Sequence, residues 1–151
     1  ELMISTWRGA ALVTLAIDEY FRFKNKKIPT YPLKSEGYSG INKRKKEVTL
    51  SGLGSLIDYI LNTNAKNILV VDDVLETGSS LEEMINKIKP FTKNIKIATL
   101  YYKPEKNKTN LKPDFYLHET NSWIVFPHEL ENLSLKEIKL KDSKIYDILT
   151  T

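Results

Sequence analysis

Residues 68–80, with the sequence ILVVDDVLETGSS, decide the fold of this chain. Four consecutive aliphatic residues are typical of a parallel strand that is covered on both faces of its sheet. Asp72 and Asp73 follow at the end of the predicted strand, and small hydroxylated residues around Gly78 come next. Because open α/β sheets bind ligands at the carboxyl ends of their strands, this stretch predicts a binding site as well as a fold.

Thr77, Gly78, Ser79 and Ser80 have the composition of a phosphate-binding loop. They enter a predicted helix, whose unpaired backbone N–H groups and dipole would attract an anion. Gly78 allows close approach of the backbone, and the three hydroxyl groups add hydrogen-bond donors. The aspartates that precede the loop would accept hydrogen bonds from sugar hydroxyls and help to hold a divalent cation.

A simpler interpretation of this loop is purely structural. Ser79 with Glu82, and Ser80 with Glu83, could form capping boxes, and the aspartates could be solvated at a strand end. That interpretation explains the serines but not the whole run of residues. A P-loop kinase is excluded, because the chain has no GxxxxGK[ST] motif, and no GxGxxG motif follows a strand.

Composition indicates one globular domain over residues 1–151. The chain has 41% hydrophobic and 28% charged residues, which are ordinary values for a folded protein. It has no cysteine, so disulfides, thiolate metal sites and a cysteine nucleophile are excluded, which fits a cytoplasmic location. No apolar run reaches the length of a membrane span and no signal peptide is visible, so we expect no membrane partner.

The pattern along the chain predicts alternating strands and helices, and therefore an α/β fold with a parallel sheet core flanked by helices. Strands are predicted at 2–6, 48–50, 67–71, 94–102 and 115–119, and helices at 10–23, 55–61, 79–91 and 134–149. Residues 26–33 contain two prolines and predict an edge strand or an extended connection. Residues 34–47, with two glycines and little periodicity, predict a mobile loop.

The net charge of +4 is concentrated most densely at Lys43–Lys46. A nucleic-acid patch is one interpretation, and a solvated loop or a loop that receives a polyanionic small molecule fits at least as well. The sequence has no zinc-finger spacing and no basic face interleaved with aromatic residues. It therefore gives little support to a nucleic-acid partner.

The stretch 68–80 resembles the phosphoribosyl pyrophosphate (PRPP) signature of type I phosphoribosyltransferases, and further motifs follow in the family's order over roughly residues 2–130. WRGA (7–10) is similar to the Arg-Gly turn at the pyrophosphate, and the basic loop lies where the family has its flexible catalytic hood. YYKPE (101–105) and WIVFPHEL (123–130) resemble the purine-site segments of the 6-oxopurine branch, which includes the xanthine-guanine and hypoxanthine enzymes. A small hood or purine-site segment of about 103–131 and a C-terminal extension of 132–151 are expected on this basis.

The resemblance implies a role for each matching residue. PRPP would be bound by Arg8, Gly9, Asp72, Asp73, Thr77, Gly78, Ser79 and Ser80. Asp72 and Asp73 would meet the ribose hydroxyls with Mg²⁺ nearby, held directly or through water, and Glu76 would be the general base near N7 of the purine. Lys103 would donate to the 6-oxo group, Trp123 would stack on the base and Ile124 would offer backbone contacts. The family also implies a homo-oligomer, a dimer or a tetramer.

Lys103 bears on the choice of base. A charged donor suits a 6-oxo acceptor and repels a 6-amino group, so hypoxanthine, guanine or xanthine would bind and adenine would not. The alternative for Lys103 is a solvated lysine at a strand end, and for Trp123 it is an aromatic residue of a core or an interface.

Closure of the hood, including Tyr38 and Ser39, would exclude water from the reaction.

Two departures from the family pattern are visible. The general base is most often Asp, whereas Glu76 is longer by one methylene group. The family usually has a helix before the first strand, so either that helix lies outside this chain or residues 134–149 partly replace it.

Three alternatives remain for the function. The chain could be a PRPP-binding regulator of the same fold, a phosphoribosyltransferase for a non-purine acceptor, or an inactive member.

Overall fold

The computed structural model describes residues 1–40, 43–131 and 133–150. The chain divides into two compact units, Glu1–Asn121 and Ser122–Thr151. The first unit carries the sheet, and the second carries two short helices. Within the described residues, none of the helices combines the length and the apolar character that a membrane crossing requires.

The first unit is built on a six-stranded sheet, which confirms the predicted α/β fold with a mostly parallel core. The strands are β1 (Leu2–Trp7), β2 (Thr30–Gly40), β3 (Lys43–Ser51), β4 (Asn67–Leu75), β5 (Asn94–Tyr102) and β6 (Phe115–Glu119). Their order is β3-β2-β1-β4-β5-β6, and only the β2–β3 pair is antiparallel. Strands β1 and β4 are parallel neighbours at the centre of the sheet, so their carboxyl ends lie side by side.

Three helices connect the strands of the first unit: α1 (Ala11–Phe23), α2 (Leu53–Thr63) and α3 (Ser79–Ile88). In α3 the buried residues are Leu81, Met84 and Ile88, spaced at the helical period, so one face packs on the sheet. The helix tightens into a 3₁₀ turn at Lys89–Phe91, because Pro90 cannot continue the α-helical hydrogen bonding.

The prediction of a loop over residues 34–47 was wrong wherever the structure describes its backbone. Residues 34–40 belong to β2 and residues 43–47 to β3. Backbone pairing between two strands needs no apolar alternation, and the lysine-rich and glycine-rich composition hid it. Residues 41 and 42 lie outside the described residues, and so do the side chains of Tyr38, Ser39 and Lys43–Lys46, so the predicted hood role is untested.

The proline-containing segment 26–33 is divided between a connection at 26–29, which includes Pro29, and the start of β2 at 30–33. Pro32 pairs with β1 at Ser5, whereas the pairing of β2 with β3 begins only at Lys34. Among the described pairings, Pro32 has a neighbour on the β1 side alone, and a residue without an N–H group is tolerated at such a position. The segment is thus an extended connection followed by the end of a strand, as the prolines predict.

The predicted capping boxes at the start of α3 were also wrong. Gly78 is the N-cap residue with φ of 75°, and among the described residues no side chain caps this helix. Glycine can adopt this left-handed conformation without a steric penalty, so the chain turns at Gly78 before either serine.

The second unit contains α4 (Leu135–Lys141) and α5 (Ser143–Thr150) where a single helix was predicted. Ser134 begins α4 and forms a capping box with Glu137, as its position in the sequence predicts. Asp142 then adopts an extended conformation, and its Oδ1 accepts hydrogen bonds from the backbone N–H groups of Lys144 and Ile145. The aspartate therefore ends one helix and begins the next.

Candidate active site

Asp72 lies at the carboxyl edge of the sheet, where β4 runs beside β1. Its Oδ1 accepts a hydrogen bond from Thr6 Oγ1 at 2.5 Å and another from the Asp73 backbone N–H at 3.0 Å. Burial raises the pKa of Asp72 to about 7, with the charge of Asp73 acting in the same direction, while the Thr6 hydrogen bond opposes the shift. The group is therefore poised between its protonated form and a carboxylate that can accept hydrogen bonds from a ligand.

Asp73 lies against the turn that follows β1. A Cβ atom built on Gly9 would lie 2.2 Å from Asp73 Oδ2 and 2.6 Å from its Cγ. Asp73 Oδ1 also accepts the Val74 backbone N–H at 2.8 Å, which fixes the carboxylate. A side chain at position 9 would therefore overlap with the Asp73 carboxylate, which favours glycine there. The glycine allows the backbone next to the exposed Arg8 to lie close to that carboxylate.

A cavity of about 220 Å³ connects three of the predicted PRPP-binding segments. Residues from the turn after β1, the acidic pair and the start of α3 surround it together with β2. Its lining is Thr6, Trp7, Gly9, Ser35, Asp72, Asp73, Val74, Ser80, Leu81 and Met84. The structure therefore brings Gly9, the two aspartates and Ser80 to one place, although they are separated by up to 71 positions in the sequence.

The loop after β4 presents backbone N–H groups at the N-terminus of α3. Gly78 is buried, Thr77 and Ser79 are exposed, and Ser80 is half-buried. The carbonyl of Gly78 accepts the first helical hydrogen bond, from Glu82 N at 2.8 Å. The N–H groups of the first turn point out of the helix, which is the arrangement that binds a phosphate.

Glu76 and Lys103 form an ion pair beside this loop. Lys103 Nζ lies 2.8 Å from Glu76 Oε2, and the side chains are 4% and 41% exposed, respectively. The backbone also joins the two segments, because Lys103 N donates to Leu75 O at 2.9 Å. Lys103 is thus not a solvated lysine at a strand end, and the extra methylene of Glu76 brings its carboxylate to the buried ammonium group.

The structure also reveals a contact that the sequence patterns did not predict. In the loop between β5 and β6, Lys108 N donates to Thr77 O at 3.0 Å, and Thr109 lies directly against Gly78. An Asn-x-Thr sequence at Asn107–Thr109 is a signal for a side-chain-stabilised turn. No local pattern, however, indicates that this turn packs on a loop about thirty residues earlier.

Trp123 and Ile124 belong to the second unit, in a segment without regular secondary structure. Trp123 is 83% exposed, so it is not a core residue of its unit. The segment then turns at Phe126–Glu129, where Glu129 N donates to Phe126 O and Glu129 Oε2 accepts from Phe126 N, both at 3.1 Å. The predicted base contacts of Trp123 and Ile124 remain a prediction.

The acidic pair is the part of this site that suits a divalent cation. Across the described residues, no group of three His, Asp or Glu side chains is arranged to hold a metal ion by itself. Mg²⁺ in nucleotide-type sites commonly takes one or two carboxylates and completes its coordination with water and substrate phosphates. Asp72 and Asp73 supply that donor set.

Known proteins resemble this chain in both sequence and structure. Hypoxanthine-guanine phosphoribosyltransferases from Schistosoma mansoni and Lactococcus lactis are 31% and 32% identical over 80 and 78 residues, each match covering 52% of this chain. The chain spans only 27% and 40% of the length of these two relatives. A purine phosphoribosyltransferase from Pyrococcus horikoshii has a TM-score of 0.64 at 26% identity, covering 88% of this chain and 80% of that one.

A hypoxanthine phosphoribosyltransferase from Trypanosoma cruzi, complexed with the product IMP, shares the fold with a TM-score of 0.61 at 14% identity, over 79% of this chain and 58% of that one. The family model described as the phosphoribosyl transferase domain matches residues 36–134, which include the acidic pair, residues 77–80 and Lys103. Together with the strand order and the geometry of the carboxyl edge, this match shows that the chain belongs to the type I phosphoribosyltransferase family.

Proposed function

We propose that this protein is a purine salvage phosphoribosyltransferase, which transfers the phosphoribosyl group of PRPP to a 6-oxopurine and gives the nucleoside 5′-monophosphate and pyrophosphate. The observation that carries the proposal is the ion pair of Lys103 with Glu76, 2.8 Å long and beside the phosphate loop. It brings a buried cationic donor and a carboxylate together next to residues 77–80, which supports a role for the pair in binding the base.

In the proposed reaction a purine nitrogen forms a bond to C1 of the ribose as the C1–O bond to pyrophosphate breaks. The proton on the purine's N7 passes to the Glu76 carboxylate, so that the product base is neutral. Lys103 has three N–H donors, and one of them bonds to Glu76. Another can donate to a 6-oxo group. A 6-amino group is itself a donor and would offer the ammonium no acceptor.

The other residues would bind and orient PRPP. The 5′-phosphate would lie on the loop of Thr77, Gly78, Ser79 and Ser80, and the ribose hydroxyls would bond to Asp72 and Asp73. These carboxylates are also near the positive charge that develops on the ribose in a glycosyl-transfer transition state. Arg8 and Gly9 would meet the pyrophosphate.

Mg²⁺ is the proposed cofactor, with Asp72 and Asp73 close to it directly or through water. Bound there, it would neutralise the pyrophosphate and make it a better leaving group. We also propose a cytoplasmic homo-oligomer, a dimer or a tetramer, in which Trp123 stacks on the base and Ile124 offers backbone contacts.

A steady-state assay tests the proposal. Pyrophosphate release is followed with PRPP, Mg²⁺ and each of hypoxanthine, guanine, xanthine, adenine, uracil and orotate. We expect turnover with 6-oxopurines alone and a fall in kcat of about 100-fold or more in Glu76→Gln, because loss of a general base typically costs this much. The control is Glu19→Gln, at an exposed position of α1 outside the proposed site.

Each other outcome has a definite meaning. Turnover with uracil or orotate instead would replace the purine acceptor in the proposal. Binding of PRPP without turnover of any base would favour a regulatory protein. Full activity in Glu76→Gln would keep the reaction and remove Glu76 as its general base.

A further inference from the structure

We propose that Asn107 and Thr109 are positioning residues for the 5′-phosphate loop and act through Gly78. This inference rests on the proposed function, since it takes residues 77–80 as the phosphate site. It assigns a purpose to the β5–β6 loop beyond carrying Lys103.

The turn packs directly on the backbone of the phosphate loop. A Cβ atom built on Gly78 would lie 2.4 Å from Thr109 Oγ1, 3.0 Å from Asn107 Oδ1 and 3.2 Å from Thr109 Cγ2. Lys108 N donates to Thr77 O at 3.0 Å, so the two loops also share a backbone hydrogen bond. Position 78 is therefore restricted to glycine twice, by its φ of 75° and by the side chains that cover it.

The turn is held rigid by its own side chains. Asn107 Oδ1 accepts hydrogen bonds from Thr109 N and Thr109 Oγ1, both at 2.9 Å. Asn107 Nδ2 donates to Leu111 O at 2.6 Å, and Thr109 Oγ1 accepts from Leu111 N at 3.2 Å. The Asn107 amide and the Thr109 hydroxyl thus make four hydrogen bonds within the turn, which suits them to hold its shape.

Neither residue reaches the cavity between Gly9, the aspartates and α3, as judged from its lining in the described part of the chain. Their effect on a ligand must pass through Thr77 and Gly78. A phosphate that binds to backbone N–H groups gains most when those groups are already fixed, because the loop then loses no freedom on binding. Loosening the turn should weaken binding at the 5′-phosphate and leave the pyrophosphate end unchanged.

The experiment compares two probes by calorimetry in the presence of Mg²⁺: ribose 5-phosphate for the loop and inorganic pyrophosphate for the Arg8–Gly9 end. Thr109→Val keeps the shape of the side chain and removes its hydroxyl, whereas Thr109→Ser keeps the hydroxyl. Asn107→Ala removes the other half of the turn. Thr92→Val is the matched control, because Thr92 Oγ1 also stabilises a loop, by donating to Ala65 O and Lys66 O, away from the site.

We expect the Kd of ribose 5-phosphate to rise about 5- to 20-fold in Thr109→Val and Asn107→Ala, the change that corresponds to the loss of one or two hydrogen bonds. The Kd of pyrophosphate should stay within about twofold, Thr109→Ser should restore ribose 5-phosphate binding, and Thr92→Val should change neither constant. Equal weakening of both probes, or no change in either, would overturn the inference.

The two proposals fail in different ways. If the unsubstituted protein binds both probes but transfers no ribosyl group to any base, the proposed function fails and the positioning role can still be confirmed. If the unsubstituted protein turns over 6-oxopurines and the variants show no selective loss, only the positioning role fails. If the unsubstituted protein binds neither probe, both are overturned.

Discussion

The two compact units hold their candidate site residues by contacts of different range. In the first unit the important contacts join distant parts of the chain: Thr6 bonds to Asp72 across 66 positions, and Lys103 bonds to Glu76 across 27. In the second unit Phe126 bonds to Glu129 across three positions. The candidate site of the first unit therefore depends on the assembled sheet. The turn that follows Trp123 is closed by contacts between residues near in sequence, and a short loop of this kind closes at little entropic cost.

The largest effect is expected from Gly9→Ala, which disturbs the long-range contact between the turn after β1 and Asp73. The added Cβ would meet the Asp73 carboxylate at 2.2 Å, so the turn or the carboxylate must move by about 1 Å, which can cost about 100-fold in kcat/KM. Gly54→Ala is the control, because nothing lies within 4 Å of a Cβ built there and alanine should stabilise α2 by about 0.5–1 kcal/mol. An active Gly9→Ala enzyme would show that the close approach has no functional role.

The Glu76–Lys103 pair should respond asymmetrically to substitution. Glu76→Gln removes the carboxylate charge that lies 2.8 Å from the nearly buried Lys103 ammonium, and we expect a loss of about 1–3 kcal/mol in the free energy of unfolding. Lys103→Met removes the buried charge together with the pair, so stability should change by less than about 1 kcal/mol, although 6-oxopurine turnover should fall. Urea denaturation of both single variants and the double variant measures the coupling free energy between the two side chains. Equal losses in the free energy of unfolding in the two single variants would contradict the expected asymmetry.

Asp72→Asn should stabilise the protein in a pH-dependent way while it impairs PRPP binding. The pKa of Asp72 is raised from 3.8 to about 7 in the folded protein, first by burial, so the folded state holds a proton that the unfolded chain releases between these values. The stabilising contribution is full below about pH 4 and is lost as the pH rises to about 7. Asparagine keeps the acceptor oxygen for Thr6 without the charge.

Thermal unfolding of Asp72→Asn and the original protein between pH 4 and 8 measures this difference. Because the side chain is only partly buried, we expect the variant to gain about 1–2 kcal/mol at pH 8 relative to pH 4. Asp58→Asn, at an exposed position of α2, should show a flat difference. A flat difference for Asp72→Asn as well would show that the folded state does not favour the protonated carboxyl group.

The parts of the site that the sequence predicted are those encoded locally. A strand, two aspartates, a glycine turn and a helix follow each other within 68–80. The structure adds that β1 pairs with β4, which brings Thr6 to Asp72 at one edge of the sheet. The start of α3 at Ser79 was predicted correctly, but its cap was not. Ser79 and Ser80 are both good N-cap residues, and the pattern gives no measure of the φ that Gly78 adopts.

The parts that the sequence did not predict depend on partners remote in the chain. The pairing of β3 with β2 uses backbone groups, which leave no mark in a lysine-rich sequence. The packing of Asn107 and Thr109 on Gly78 depends on where two loops end after folding. The ion pair of Glu76 with Lys103 also joins residues that are far apart in the sequence. It offers a reason why position 76 carries Glu and not the shorter Asp.

The smallest effect is expected in the second unit, from Lys141→Met. Lys141 Nζ donates to Phe126 O at 2.5 Å and also to Glu129 O, so it joins the last turn of α4 to the turn that follows the Trp123 segment. Methionine keeps the aliphatic stem and removes both hydrogen bonds, which should cost about 1 kcal/mol within this unit. If these residues bind the base, KM for the purine should rise a few-fold while KM for PRPP stays constant.

Lys136→Met, at an exposed position of the same helix, is the control. A rise in KM for PRPP instead would mean that the Lys141 hydrogen bonds support PRPP binding. The assignment of base contacts to the second unit would then be wrong.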